Sequence, residues 1–199
     1  MNLDKLILYR RSKRKYLEKP INIEKIGEIL DLSRYAASAG NLQNWKFIVV
    51  SDQQTKNQVS QACLEQYWMN AAPVFIVIVG DIDKATRMYG KKAESYTIQS
   101  CSNAATLMQL KAVDLGLATC WVGSFDEKAI QRILKLPERL KPIVILTLGY
   151  SGEESIKKKM NHLTNIVYFD RYGNKIKKIT EDIFKSKLKS LKEKIFKKK

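Results

Sequence analysis

Histidine is nearly absent: His162 is the only one in 199 residues. That excludes a metal site built on a histidine cluster, and Cys63, Cys101 and Cys120 offer no CxxC spacing from which thiolates would build one. No protein-bound metal is expected. A serine or cysteine nucleophile would have to recruit His162, which stands in the lysine-rich stretch KKKMNHLTN without a nucleophile elbow and reads as an ordinary loop residue. The three cysteines cannot all pair, so they read as reduced thiols packed as small hydrophobes. Long apolar runs are also lacking. Val74 to Val79 and Ile143 to Leu148 are too short to span a bilayer, and the opening MNLDKLILYRRSK carries no secretory pattern, so a soluble, cytoplasmic protein with no membrane partner is expected. Neither GxGxxG nor GxxxxGK[ST] occurs, so any nucleotide must be held another way. No repeat and no Gly/Ser/Pro-rich linker divides the chain.

Positive charge is abundant. The formal net charge is +16, and the stretch from Lys175 to Lys199 holds eleven lysines against Glu181, Asp182 and Glu193. Such a charge favours anions in general: nucleotides, phosphorylated cofactors, nucleic acid or acidic lipid. The tail spaces Ile179, Ile183, Leu188, Leu191 and Ile195 at helical intervals. This leaves open a second reading, a basic binding module that uses the tail on nucleic acid or an anionic membrane. Aromatic stacking residues are scarce there, however, and no nucleic-acid partner is expected.

Periodicity predicts alternating helices and strands. A short helix opens the chain around Asp4 to Tyr9. A second begins at the N-cap Asn22, with Ile21 stapling Ile26 and with Ile23, Ile26 and Leu30 facing the core. Lys46 to Val50 is a short strand, and Ser51 with Gln54 reads as a capping box for the helix carrying Gln58 to Leu64. Val74 to Val79 is a β-branched run of the kind covered on both faces. Glu94 to Leu115 is a long helix whose small and apolar residues surround it, which places it centrally or at an interface. A strand from Ala118 to Val122 follows, then a capping box of Ser124 with Glu127 and a helix to Leu134, then a strand from Ile143 to Leu148. The expected fold is an α+β sandwich around one sheet.

Three segments could carry chemistry. Arg10, Arg11, Ser12 and Arg14 put three guanidiniums and a hydroxyl within five residues, which reads either as a phosphate site or as a solvated basic face. Ala37 to Trp45 (ASAGNLQNW) is a small, polar loop suited to close approach to a flat ligand, or a plain loop anchored by Trp45. Thr119 to Ser124 ends a strand at Gly123 and begins a helix, where free N–H groups face an electron-rich atom or merely form a tidy turn.

Together and in this order, the segments resemble the FMN-dependent nitroreductase family. That family reads approximately RRSxRxF, APSAGNLQPWxFIVV, QxxxxxAPVxIV, GLGTCWIGGF and LPxxxxPVxxLxLGYP. The matching stretches here are Arg10 to Tyr16, Ala37 to Val50, Gln66 through Val79, Gly116 to Phe125 and Leu136 to Tyr150.

The resemblance implies a mixed central sheet flanked by helices, an intertwined homodimer with FMN at the subunit interface, and NAD(P)H as hydride donor to a small-molecule acceptor. By position it implies FMN contacts from Arg10, Arg11, Ser12 and Arg14, with Arg10 and Ser12 near the phosphate and ribityl chain and Arg14 towards the N1/O2 edge. It further implies Ser38 and Asn41 reaching over from the other subunit, Gly123 near N5 with Ser124 beside it, and Gln66 as a polar contact to the ring. The cofactor-binding domain is expected over residues 1–174, with 175–199 a helical extension. The sequence departs from the pattern at three places. Asn44 stands where proline is usual and is expected to loosen the loop, and Ser124 replaces a glycine. Met160 falls where the phosphate-binding arginine belongs, so Lys158 or Lys159, or else Arg10 and Arg11, would carry the phosphate.

Overall fold

A computed structural model describes residues 1–155 and 158–175; the expected tail helix lies almost wholly outside the described residues. The chain divides into two units, Met1–Ser155 and Ile156–Lys199.

In the first unit the elements run α1 (Leu3–Tyr9), α2 (Ile23–Ser33), β1 (Trp45–Val50), α3 (Gln53–Ala62), β2 (Val74–Asp81), α4 (Ile82–Tyr89), α5 (Ala93–Asp114), β3 (Ala118–Val122), α6 (Glu127–Ile133) and β4 (Leu140–Gly149). The strands form one sheet in the order β1-β2-β4-β3, every pair antiparallel. Outside the named strands, one isolated parallel bridge joins Ser12 to Thr119 on β3.

Period-2 alternation explains why β2 reads as an unbroken apolar run. Val74, Ile76 and Ile78 point to one face, where α5 and α2 contribute Cys101, Ala104, Ala105, Met108 and Ile29. Phe75, Val77 and Val79 point to the other, against Val59 and Cys63 from α3 and the turn after it, and Ile130 of α6. With both faces covered, each such side chain contributes about 1.5–3 kcal/mol by leaving water. β4 extends further than its apolar run, through Pro142, which pairs with Val79; the register skips Ile143 next to it, a bulge beside a residue that cannot donate to the ladder.

Several local expectations are corrected. Ile23 is 69% exposed; Ile29, one turn past Ile26, is the residue at the core. The N-cap of α3 is Asp52, whose carboxylate accepts from Thr55 N–H, and that of α6 is Asp126, which accepts from Ala129 N–H. A carboxylate at the cap is a stronger acceptor than Ser51 or Ser124 and complements the helix dipole, which moves each start by one or two residues. The connection from Asp81 to Glu94 holds a helix, α4. Asn22 caps α2 as expected, and Ile21 packs against the cluster containing Ile26.

The second unit's described part contains one helical turn, Leu163–Asn165. His162 is exposed there and its Nδ1 lies 2.7 Å from the Thr164 hydroxyl.

Candidate functional site

The Arg10–Arg14 run lies along the edge strand β3. Ser12 bridges Thr119, and Lys13 N–H donates to Thr119 O at 3.0 Å. Lys13 and Tyr16, three residues apart, are buried while Ser12, Arg14 and Lys15 stay exposed. Among the described residues, none of Arg10, Arg11 and Arg14 is ion-paired with a carboxylate, so three guanidiniums in one short run retain their capacity for anions.

Arg14 gathers further groups around it. Its guanidinium sits over the Trp68 ring, 5.6 Å from the centroid. The Trp68 indole N–H donates to Gln66 Oε1 at 3.3 Å, and Gln66 Nε2 donates to Cys63 O at 2.9 Å. Gln66 therefore orients Trp68 with its amide. Cys120 lies beneath: burial raises its thiol pKa, with Arg14 and the Ser12 hydroxyl pulling the other way. Below the run, the Tyr16 hydroxyl is 2.6 Å from both Lys13 O and Thr147 Oγ1, and burial pushes its pKa up. Gly123 and Ser124 follow β3 directly and are exposed; a Cβ on Gly123 would meet only the Trp121 ring, at 3.5 Å.

The Ala37–Trp45 loop is built with equal care at another corner. Gly40, Asn41 and Gln43 take left-handed backbone angles, φ +53°, +54° and +46°. A Cβ on Gly40 would run into the Tyr89 hydroxyl, so both the space and the backbone angle favour glycine there. Gln43 N–H donates to Ser38 Oγ at 3.1 Å and Gln43 Nε2 to Asn41 Oδ1 at 2.9 Å. Asn44 does not loosen this loop. It is 2% exposed, and its amide donates to Asp81 O at 3.0 Å and to Thr97 Oγ1 at 2.8 Å, while its carbonyl accepts Asp81 N–H at 2.7 Å. The two side-chain hydrogen bonds do the pinning that a proline ring does by fixing φ.

The two constellations sit at diagonally opposite corners of the sheet. Ser12 adjoins Thr119, level with Leu148 and Val74, whereas Trp45 pairs with Gly80 at the far end of β2 and on the other edge. Three strand spacings separate the edges by about 14 Å, and six residues along β2 add roughly 20 Å. The structure thus places Arg10, Arg11, Ser12 and Arg14 at one corner, with Gln66 tied to Arg14 through Trp68, and Ser38 and Asn41 in the loop at the other edge; Gly123 and Ser124 lie further along β3, past the level of Val77. Lys158 and Lys159 are exposed residues of the second unit.

Lys13, Trp68 and Glu153 escaped the sequence reading. Lys13 is 7% exposed, and its ammonium donates to the backbone of Glu153 and Glu154. The Glu153 carboxylate accepts from the N–H groups of Arg14 and Lys15, which hold it below the usual carboxylate range. The inward side of Lys13 would have been visible only from the pairing of residues 12–16 with Thr119 and Ser151.

Comparison with known proteins bears on this arrangement. The profile of the nitroreductase family matches residues 7–68 and 60–150. A protein of Archaeoglobus fulgidus named for NADH dehydrogenase and NAD(P)H nitroreductase activity is 32% identical over 154 residues, covering 75% of this chain and 86% of that relative. An FMN-dependent nitroreductase from Clostridium difficile R20291 superposes with a TM-score of 0.74 at 29% identity, over 85% of this chain and all of that one. A nitroreductase family protein from Clostridium difficile 630 does so with a TM-score of 0.74 at 31% identity, over 86% and 99%.

Proposed function

Because this chain belongs to the nitroreductase family, we propose that it is an FMN-dependent, NAD(P)H-oxidising oxidoreductase whose sites are shared between two copies. The observation that carries the proposal is the diagonal separation of the Arg10–Arg14 run from the Ser38–Asn41 loop. One copy cannot close both around a single flavin, but a two-fold pairing sets one copy's run against the other copy's loop twice over.

Surface chemistry supports the pairing. α1 has no buried residue yet carries Leu3, Ile7, Leu8 and Tyr9 exposed. α5 has no charged residue between Glu94 and Lys111, although Ile98, Asn103 and Thr106 face outward. A hollow of about 380 Å³ lined by Tyr35, Ala36, Ala37, Asn103, Thr106 and Leu107 lies on that face and suits a partner's side chain.

The residues present fit FMN. Three guanidiniums with no carboxylate partner among the described residues and the Ser12 hydroxyl match a phosphate-bearing ligand, and the neighbourhood of Gly123 leaves backbone room for a flat ring. In this reading Arg10 and Ser12 hold the phosphate and ribityl chain, Arg11 adds charge to the same end, and Arg14 faces the N1/O2 edge. Ser38 and Asn41 would come from the other copy, and Gly123 would lie near N5 with Ser124 beside it. Lys158 and Lys159 are candidates for further phosphate contacts. When bound, FMN supplies the hydride-accepting and hydride-donating centre that the side chains lack. Arg14 provides a fixed cation where charge accumulates on reduction, held in place before it is needed. Donor and acceptor alternate in one cleft, so turnover is ping-pong, with a nitroaromatic, quinone or similar electron-poor acceptor.

Purified protein is expected to show flavin absorption that bleaches on anaerobic addition of NADH or NADPH and returns when a quinone or nitroaromatic is added. Protein that takes up no FMN and supports no turnover of either acceptor would refute the reading.

A further inference from the structure

Residues 13–15 and the chain leaving β4 grip one another by side chains from both sides. The buried Lys13 ammonium donates to Glu153 O at 3.1 Å and also to Glu154 O. In return Glu153 Oε1 accepts Arg14 N–H at 2.7 Å and Lys15 N–H at 3.4 Å. Gly152 N–H to Lys15 O, 2.9 Å, and Leu17 N–H to Tyr150 O, 3.0 Å, complete the ladder. Each charge is spent on the other segment's backbone, which makes the bonds charge-assisted.

Arg14 lies inside this clasp. Its N–H is fixed by Glu153, one face of its guanidinium lies against Trp68, and among the described residues the donors of the guanidinium are committed to no carboxylate. An arginine free to rotate gives up several torsions on binding an anion; one whose backbone and flat face are already held gives up fewer. We propose that Lys13 and Glu153 are positioning residues that preorganise Arg14 for its anionic ligand. This deepens the flavin reading and rests on it.

The proposal has a distinguishing sign. The Glu153 carboxylate brings negative charge towards an anion-binding arm, so by charge alone it opposes FMN; its favourable contribution is through geometry. Glu153→Gln separates the two, since an amide oxygen accepts the same N–H groups without the charge. Flavin-free wild type, Glu153→Ala, Glu153→Gln and Lys13→Met are titrated with FMN, and amide hydrogen exchange is followed across residues 10–17. Glu153→Ala and Lys13→Met are expected to bind FMN about tenfold more weakly, the scale of one lost charge-assisted bond, with faster exchange in that segment. Glu153→Gln is expected to bind at least as tightly as wild type with wild-type exchange.

Glu153→Ala binding within twofold of wild type would overturn the proposal. So would Glu153→Gln falling as far as Glu153→Ala, because an acceptor kept in place for the two N–H groups would then contribute nothing. If the wild type itself binds no FMN, the flavin reading fails separately, and unchanged exchange in Glu153→Ala would then overturn the clasp as well.

Discussion

The side-chain amide of Asn44 donates to the Thr97 hydroxyl at 2.8 Å, tying the loop before β1 to α5. The same amide donates to Asp81 O, and the Thr97 hydroxyl donates to Ala93 O. Asn44→Ala is therefore expected to cost about 1–3 kcal/mol, the penalty for stranding buried partners. Urea denaturation measures it; a loss below about 0.5 kcal/mol, the range of a neutral surface substitution, would show that the loop holds without this pin.

Tyr16→Phe tests the floor beneath the arginine run. The ring fits tightly, with a Cβ on Gly149 meeting Tyr16 Cδ1 at 2.6 Å, and phenylalanine keeps that fit. What is lost is the hydroxyl shared by Lys13 O and Thr147 Oγ1. A destabilisation of about 1 kcal/mol is expected, with a lower thermal midpoint and little change in the far-ultraviolet circular dichroism spectrum.

The thiols give a pH prediction. Burial pushes Cys63 and Cys101 up to about 12, against about 8.5 for a thiol in the unfolded chain. The folded state therefore keeps protons that the unfolded state releases. The contribution to stability is complete below the unfolded value and is lost as pH rises from there towards the folded one. Denaturation midpoints are expected to fall between pH 8.5 and 10.5. A thiol-reactive disulfide reagent should modify Cys63 and Cys101 only in denaturant; rapid native-state labelling of either would contradict their burial.

Much of this organisation was legible because it is local. The apolar run of Val74 to Val79 and the Asn22 cap both announce themselves within a few residues, and β3 appears with the bounds expected, Ala118–Val122. Arg10 to Arg14 stood out because three guanidiniums in five residues are chemically conspicuous. What stayed hidden depends on partners far along the chain. Lys13 reads as one more cation in a basic run until the bridges to Thr119 and Ser151 turn it inward, and Glu153 lies 139 residues from the N–H it accepts. Asn44 looked like a lost proline because its two acceptors, Asp81 O and Thr97 Oγ1, are 37 and 53 residues away. The caps failed differently. Ser51 and Ser124 fit the capping pattern, but a nearby aspartate, Asp52 or Asp126, takes the position in each case.

Mixing two inactive variants tests the shared site most directly. Arg14→Ala removes the run from one parent, and Ser38→Ala with Asn41→Ala removes the loop from the other; each parent alone is expected to bind FMN poorly. After unfolding and refolding the parents together, half of the dimers are hybrids and each rebuilds one of its two sites, so about a quarter of wild-type flavin sites and NAD(P)H-dependent turnover should return. Recovery near that level is the predicted result. Flavin content and turnover no higher than in the separate parents would contradict a site assembled from two copies.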